Sequence, residues 1–326
     1  MKSVLGIGNA LVDIITKLDN EDLLKSFGLP KGSMTLVDMD TANYIQAETS
    51  GLTRQKASGG SAANAIHGLA HLGIPAGFIG KVGDDDLGRF FRKDMKVNKI
   101  NPILFKSIHE TGKALAMITP DSERTFATFL GAAVELSVED LTSDVFYGYD
   151  YIFIEGYLVQ NQPMLEKAVR LARNNNLKVC LDLASYNVVH DNREFFLKIM
   201  AEYVDIVFAN EEEIKSLTGK APEEAILEAG ILVDIAVVKL GAEGSMVYSN
   251  GKLHRIGVRP TNPVDTTGAG DLYAAGFLYG LIMEQDLEIC GKIGSILAGK
   301  VIEGIGAKMD EATWERLRRE IKALIQ

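Results

Sequence analysis

Cysteine, histidine, basic excess and long apolar runs are all scarce in this chain of 326 residues, and each scarcity closes off a kind of chemistry. Cys180 and Cys290 are the only cysteines, and both sit in apolar stretches. Two such residues cannot build a disulfide scaffold; they read as buried free thiols in a reducing compartment. The five histidines, His67, His71, His109, His190 and His254, are scattered. His67 and His71 share a helix face, but no nearby Glu completes a metalloprotease motif, so both read as packed against the helix surface. No apolar run reaches the roughly 18 residues of a membrane span, and Met1 to Ile7 shows no secretory signal, so a cytoplasmic location without membrane partners is expected. Lys and Arg number 34 against 44 Asp and Glu, a formal charge of −10, which excludes a basic nucleic-acid surface. An acidic chain that holds an anion must do so locally, with backbone N–H groups and helix ends. No Gly-x-x-x-x-Gly-Lys-Ser/Thr loop occurs, so a P-loop is excluded. Gly6-x-Gly8 lacks its third glycine, because Leu11 stands there, which argues against a dinucleotide-binding oxidoreductase.

What is present is alternation. Short apolar, β-branched runs at 4–8, 76–80, 151–154, 178–181, 204–208 and 235–238 predict buried strands. Segments 61–72, 87–97, 164–174 and 211–217 predict helices between them, and the last third predicts helices over 271–283, 287–303 and 311–325. This order implies an α/β fold with a mostly parallel sheet covered by helices on both faces. Residues from about 11 to 57 and from about 103 to 131 break the alternation. Strand-like pieces at 12–16 and 34–37, and a hairpin of 114–118 and 125–130 around the turn 120–123, predict a small discontinuous β lid; an irregular sheet edge is the alternative.

Three motifs carry candidate chemistry. Asp265-Thr266-Thr267-Gly268-Ala269-Gly270-Asp271 leads small residues into a helix start, where unblocked N–H groups and the helix dipole suit a phosphoryl group. Asp271, in the first turn, is placed to take a proton from an attacking hydroxyl. A glycine-rich helix cap with a dipole-matching Asp fits the same residues. Gly59-Gly60-Ser61-Ala62-Ala63-Asn64 lets a ligand approach the backbone closely, with Asn64 able to meet a diol; a tight turn capped by Ser61 is the plainer reading. Asn9 and Asp13 follow the first strand, where a carboxylate can hold vicinal hydroxyls, or simply face solvent. The acidic run Asp84-Asp85-Asp86 reads as a solvated helix start.

These segments resemble the ribokinase-like (PfkB) family of carbohydrate and nucleoside kinases. The run 265–278 is similar to the family's second signature. Residues 59–83 are similar to its first, except that Ile66 stands where a small residue is usual. Gly80-Lys81-Val82-Gly83-Asp84, Asn210-Glu211-Glu212-Glu213 and Lys239-Leu240-Gly241-Ala242-Glu243-Gly244 resemble three further family segments in order, over residues 4 to about 307. The resemblance implies a three-layer α/β/α core with a β lid and an ATP-dependent kinase acting on a small-molecule hydroxyl. It implies Asp271 as catalytic base and Gly268, Ala269 and Gly270 as anion-hole amides. Asn9, Asp13, Gly59, Gly60 and Asn64 would then bind the acceptor. Lys239, Gly241, Gly244, Asn210 and Thr267 would line the nucleotide, and Asn210 and Glu213 would organise Mg²⁺ through water. Arg124 resembles an arginine that neutralises charge on the transferring phosphate; a turn-flanking surface arginine is the alternative. Asp265, with Thr267, resembles positions that help hold a monovalent cation such as K⁺.

The opening Gly6 to Ile14 and the long insert between Asp13 and Gly59 resemble the bacterial adenosine-kinase-like branch. There Phe126 and Thr128 would cover a purine, although lid packing explains Phe126 equally well. A nucleoside 5′-hydroxyl is the leading expectation, and a sugar or sugar-acid kinase is the alternative. Thr267, where many adenosine kinases have Asn, and the missing proline in 182–187 count against the nucleoside. A non-catalytic sensor is the outsider, and Asp271 argues against it. Monomer and homodimer stay open.

Overall fold

The computed structural model describes residues 2–121 and 123–325, so Met1 and Ser122 of the expected 120–123 turn lie outside the described residues. In chain order the strands are β1 (Val4–Ile7), β2 (Leu11–Lys17), β3 (Met34–Leu36), β4 (Arg54–Gly59), β5 (Ala76–Gly83), β6 (Ile100–Ser107) and β7 (Gly112–Ile118). They continue as β8 (Arg124–Phe129), β9 (Tyr151–Glu155), β10 (Lys178–Asp182), β11 (Ile206–Asn210), β12 (Ile235–Lys239), β13 (Ser245–Ser249) and β14 (Lys252–Ile256). Nine of them form one sheet in the order β14-β13-β12-β11-β10-β9-β1-β5-β6. From β12 to β6 every pairing is parallel, and β13 and β14 add an antiparallel edge.

Strand alternation sends the core to both faces. Phe153, Cys180, Phe208 and Val237 pack under the helices Ser61–His71, Ala269–Ile282 and Leu287–Val301. Ile7, Ile154, Leu181 and Val207 pack on the opposite side under Gln162–Asn174, Arg193–Tyr203 and Glu211–Thr218. Both cysteines are buried free thiols, as the sequence implied. The helix Ala269–Ile282 is apolar nearly all round because it is covered on every side. A Cβ on its Gly276 would meet Gly294 Cα at 2.8 Å, so two backbones touch there and fix the helix axially. Among the described residues no helix is long and apolar enough to cross a membrane.

The second sheet runs β3-β8-β7-β2-β4 and is entered from the carboxyl end of β1. Its strands come from two separate stretches of chain. Residues 103–107, expected within that second sheet, belong instead to β6, which pairs with β5 at the edge of the large sheet. β4, a polar edge strand, and the β13–β14 hairpin were not anticipated. β1 has β5 on one side and β9 on the other, which makes its carboxyl end the topological switch point where ligands bind in open parallel sheets. Three residues, Gly8 to Ala10, separate β1 from β2 in the second sheet.

Candidate active site

Gly268 begins the helix Ala269–Ile282 with φ +78°, a left-handed conformation in which a Cβ would also lie 2.5 Å from that of Ala307. Among the described residues no side chain caps this helix. The Ala269 N–H donates to the Thr266 carbonyl at 3.2 Å, and the Thr267 N–H to Asp265 Oδ1 at 3.0 Å. Ala269 therefore drops out of the expected anion hole. Among the described residues the amides of Gly268, Gly270 and Asp271 have no partner, which leaves them free to meet an anion.

A second helix start meets the first. Gly60, at φ +98°, turns β4 into the helix Ser61–His71, and a Cβ there would strike the Asn9 carbonyl. The turn aims Ser61 and Asn64 at Asp271: Ser61 Oγ donates to its Oδ1 at 2.7 Å, and Asn64 Nδ2 to its Oδ2 at 2.9 Å. Burial raises the Asp271 pKa against the pull of these two donors; the negative Asp182 adds to the rise and Lys239 opposes it. The result is an ionisable carboxylate more basic than usual and fixed in orientation.

On the lid side, Asp13 of β2 lies opposite Ala57 and Ala114. Gly59 serves Asp13 by absence, since a Cβ there would overlap the carboxylate. Burial pushes Asp13 up to about 6, with Lys308 and Arg124 pulling down and Asp271 pushing up. Asn64 Oδ1 is buried and, among the described residues, has no partner, an acceptor available to a ligand hydroxyl. Asn9 behaves differently from expectation: its amide nitrogen donates to Glu155 Oε1 at 2.8 Å. Glu155 also accepts from the Ala62 N–H at 3.1 Å, and burial raises it to about 7. Asn9 thus ties the switch-point loop to the end of β9.

Arg124, Phe126 and Thr128 share one face of β8 by alternation, and Thr128 is buried. Arg124, expected at the transferring phosphate, is held by protein groups. Its Nη1 donates to Thr267 Oγ1 and pairs with Asp265 Oδ2, both at 2.6 Å, so it bridges lid and anion-hole loop. Asp265 further accepts from the Gly306 N–H at 2.6 Å. Asp265, expected beside a monovalent cation, is paired with this guanidinium, and Thr267 Oγ1 faces the lid. The guanidinium also lies 5.0 Å from the Phe126 ring centre, covering that face.

On the other side of Asp271 opens a groove of about 860 Å³, bordered by Lys239, Gly241, Gly244 and Gly270, with Val258 and Ile302 as an apolar wall. Lys239 Nζ donates to Asp182 Oδ2 at 2.8 Å and lies 3.2 Å from where a Gly270 Cβ would sit, facing the anion hole. Burial works against this ammonium, but Asp182, Glu213 and Asp271 outweigh it and hold its pKa above the ordinary lysine range. Asn210 and Glu213 form a reciprocal helix cap: each backbone N–H donates to the other's side chain at 2.8 Å. Burial raises Glu213 to about 7. Among the described residues no group of three or more His, Cys, Asp or Glu could clasp a metal directly. Asp182, Glu155 and Lys308 were missed from sequence. For the first two a signal exists, since each is an acid at the carboxyl end of a buried parallel strand, KVCLD and YIFIE respectively.

A family model described as pfkB family carbohydrate kinase matches residues 32–314. The 5-dehydro-2-deoxygluconokinase of Bacillus subtilis (strain 168) is 30% identical over 315 residues, covering 92% of this chain and 97% of that protein. The 5-dehydro-2-deoxygluconokinase of Halalkalibacterium halodurans is likewise 30% identical, covering 93% and 95%. Among solved structures, a probable sugar kinase from Rhizobium etli CFN 42 superposes with TM-score 0.86 at 34% identity, covering 98% of this chain and 99% of that one. The adenosine kinase from Sinorhizobium meliloti gives 0.85 at 37%, covering 97% and 98%.

Proposed function

Because the chain belongs to the PfkB family of carbohydrate kinases and is an ATP-dependent phosphotransferase, we propose that its acceptor is a hydroxyl of a sugar or sugar acid. The observation that carries this reading is the chemistry around Asp271 on the lid side. Asp13, the orphaned Asn64 Oδ1 and Asp271 itself all accept hydrogen bonds, which suits an acceptor rich in hydroxyls. Phe126, the residue expected to cover a purine, has the Arg124 guanidinium over one ring face. Relatives matched over nearly their whole length and named 5-dehydro-2-deoxygluconokinase agree. The leading expectation from sequence, a nucleoside, becomes the second reading; the 37% identity to the Sinorhizobium adenosine kinase is what favours it.

In the proposed cycle the acceptor's hydroxyls donate to Asp13 and Asn64, which aims one hydroxyl at Asp271. ATP lies in the groove beside Lys239, its γ-phosphate at the Gly268, Gly270 and Asp271 amides. Asp271 takes the hydroxyl proton as oxygen bonds to the γ-phosphorus and the bond to the β-phosphate oxygen breaks, releasing ADP. Lys239 and the helix start stabilise the charge that gathers on the transferring group. Asp182 and Glu213, carboxylates lining the groove, would hold a nucleotide-borne Mg²⁺ through water, and the ion would offset phosphate charge. The lid keeps water from competing with the bound hydroxyl. ADP release measured against sugars, sugar acids and nucleosides is the test. Turnover confined to nucleosides would overturn the acceptor assignment.

A further inference from the structure

We propose that Lys308 reads a carboxylate on the acceptor, which makes the enzyme selective for sugar acids over neutral sugars. The inference rests on the sugar or sugar-acid reading and narrows it. Lys308 sits in the turn before the helix Glu311–Ile325, and that turn is wedged into the site. Gly306 donates to Asp265, and a Cβ on it would lie 3.2 Å from Ile15 Cδ1 of β2 and 3.7 Å from Arg124 Nη2. Ala307 packs against Gly268 of the anion hole. The Lys308 ammonium is buried, and among the described residues it has no hydrogen-bond partner.

The acids whose charge it feels are, in order, Asp13, Asp94 and Asp271. Asp94 already accepts from Ser58 Oγ at 2.5 Å and lies 3.5 Å from His67 Nε2; Asp271 is held by Ser61 and Asn64. Burial drags the ammonium down to about 8, still cationic at neutral pH. An unpaired cation in such a place is costly to keep, and a ligand anion removes that cost. The anion is not the nucleotide's, since the phosphates have the amide hole and Lys239 on the groove side of Asp271. A neutral sugar donates to Asp13, Asn64 and Asp271 and leaves the ammonium bare. A sugar acid satisfies all four groups together, and leaving a buried group unpaired is how a site rejects an analogue.

The test compares kcat/KM for 5-dehydro-2-deoxygluconate and gluconate with that for 2-deoxyglucose and glucose in the wild type, Lys308→Met and Lys308→Arg. The wild type should prefer the acids. Lys308→Met should lower the acid-to-neutral ratio roughly 10- to 100-fold, the scale of one charged hydrogen bond, while Lys308→Arg keeps most of it. A ratio is unaffected by any fraction of variant that fails to fold. Calorimetric titration with each acid, without ATP, should show the same weakening in Lys308→Met. An unchanged ratio, or a wild type that prefers the neutral sugars, overturns the proposal while leaving the sugar-kinase reading intact. So does noncompetitive inhibition by an acid that is not phosphorylated, which would place the anion in the cavity of about 380 Å³ that Lys308 borders with His67, His71 and Trp314. Turnover of nucleosides alone refutes the broader reading and this one together.

Discussion

Replacing Asp271 by Asn isolates the proton-transfer step, because the structure lets the amide keep the carboxylate's place. Asp271 accepts from Asn64 Nδ2 at 2.9 Å and from Ser61 Oγ at 2.7 Å. An asparagine there keeps its oxygen toward Asn64 and turns its NH₂ to Ser61, whose hydroxyl can accept instead of donate. Position, volume and the neighbouring amides are conserved, and only the proton sink is lost. One general base contributes about 10²–10⁴ in rate. At about 1.36 kcal/mol per tenfold, that is roughly 3–5 kcal/mol of barrier. The folded protein should not suffer, since burial already disfavours the Asp271 charge and Asp182 repels it. Expected, then, are a kcat lower by that factor, KM values for ATP and acceptor within about threefold, and a melting temperature equal to or above the wild type. Coupled ADP release across both substrates, with thermal denaturation alongside, measures all three. A kcat within about fivefold of wild type would remove Asp271 from proton transfer, and a large rise in both KM values with unchanged kcat would make it a binding residue.

Gly268→Ala should both strain a left-handed residue, by about 1–2 kcal/mol, and collide with Ala307; a variant with unchanged melting temperature and ATP affinity would show that the helix start is not fixed as described. Arg124→Ala breaks a pair whose side chains are only 9% and 11% exposed, so a loss on the order of 3 kcal/mol in denaturant unfolding is expected. An unaltered unfolding midpoint would mean that the Arg124 bridge does not hold the lid to the anion-hole loop. Asp13, raised to about 6, becomes protonated at a pH where an ordinary aspartate is still ionised. Acceptor KM should therefore rise as pH falls through about 6 and level off above about 7. A KM that stays flat to pH 5 would place the hydroxyls elsewhere.

Where one segment carries its own signal, the sequence was readable. The buried parallel strands announce themselves because both faces are covered and apolar residues run together. The two glycine-rich helix starts are visible because backbone approach demands small residues wherever it occurs. β4, Arg54–Gly59, is polar and gains its place only by pairing with β2. β6 contains Pro102 and mixes polar with apolar residues, as an edge strand can. The β13–β14 hairpin was overlooked although Asn250-Gly251 is a strong two-residue turn signal. Asp85 exceeds the solvated helix start expected of it: it caps its helix and accepts from both the N–H and the hydroxyl of Thr111 at 2.7 Å, fastening two loops. Arg124 with Asp265, and Lys308 with Asp13, are distant in sequence, and no spacing rule could have joined them. His67 and His71 do pack as expected, with His71 stacked 4.9 Å from Trp314.

The three-residue passage from β1 into β2 has a consequence for how affinity in this protein should be interpreted. Asn9, tied to Glu155, sits within it and Asp13 lies just beyond, so no tilt of the small sheet leaves Asp13 where it was. Acceptor affinity and the angle between the two sheets become one thermodynamic quantity. A substitution far out on the small sheet, touching no ligand, should therefore register as a change in apparent acceptor binding.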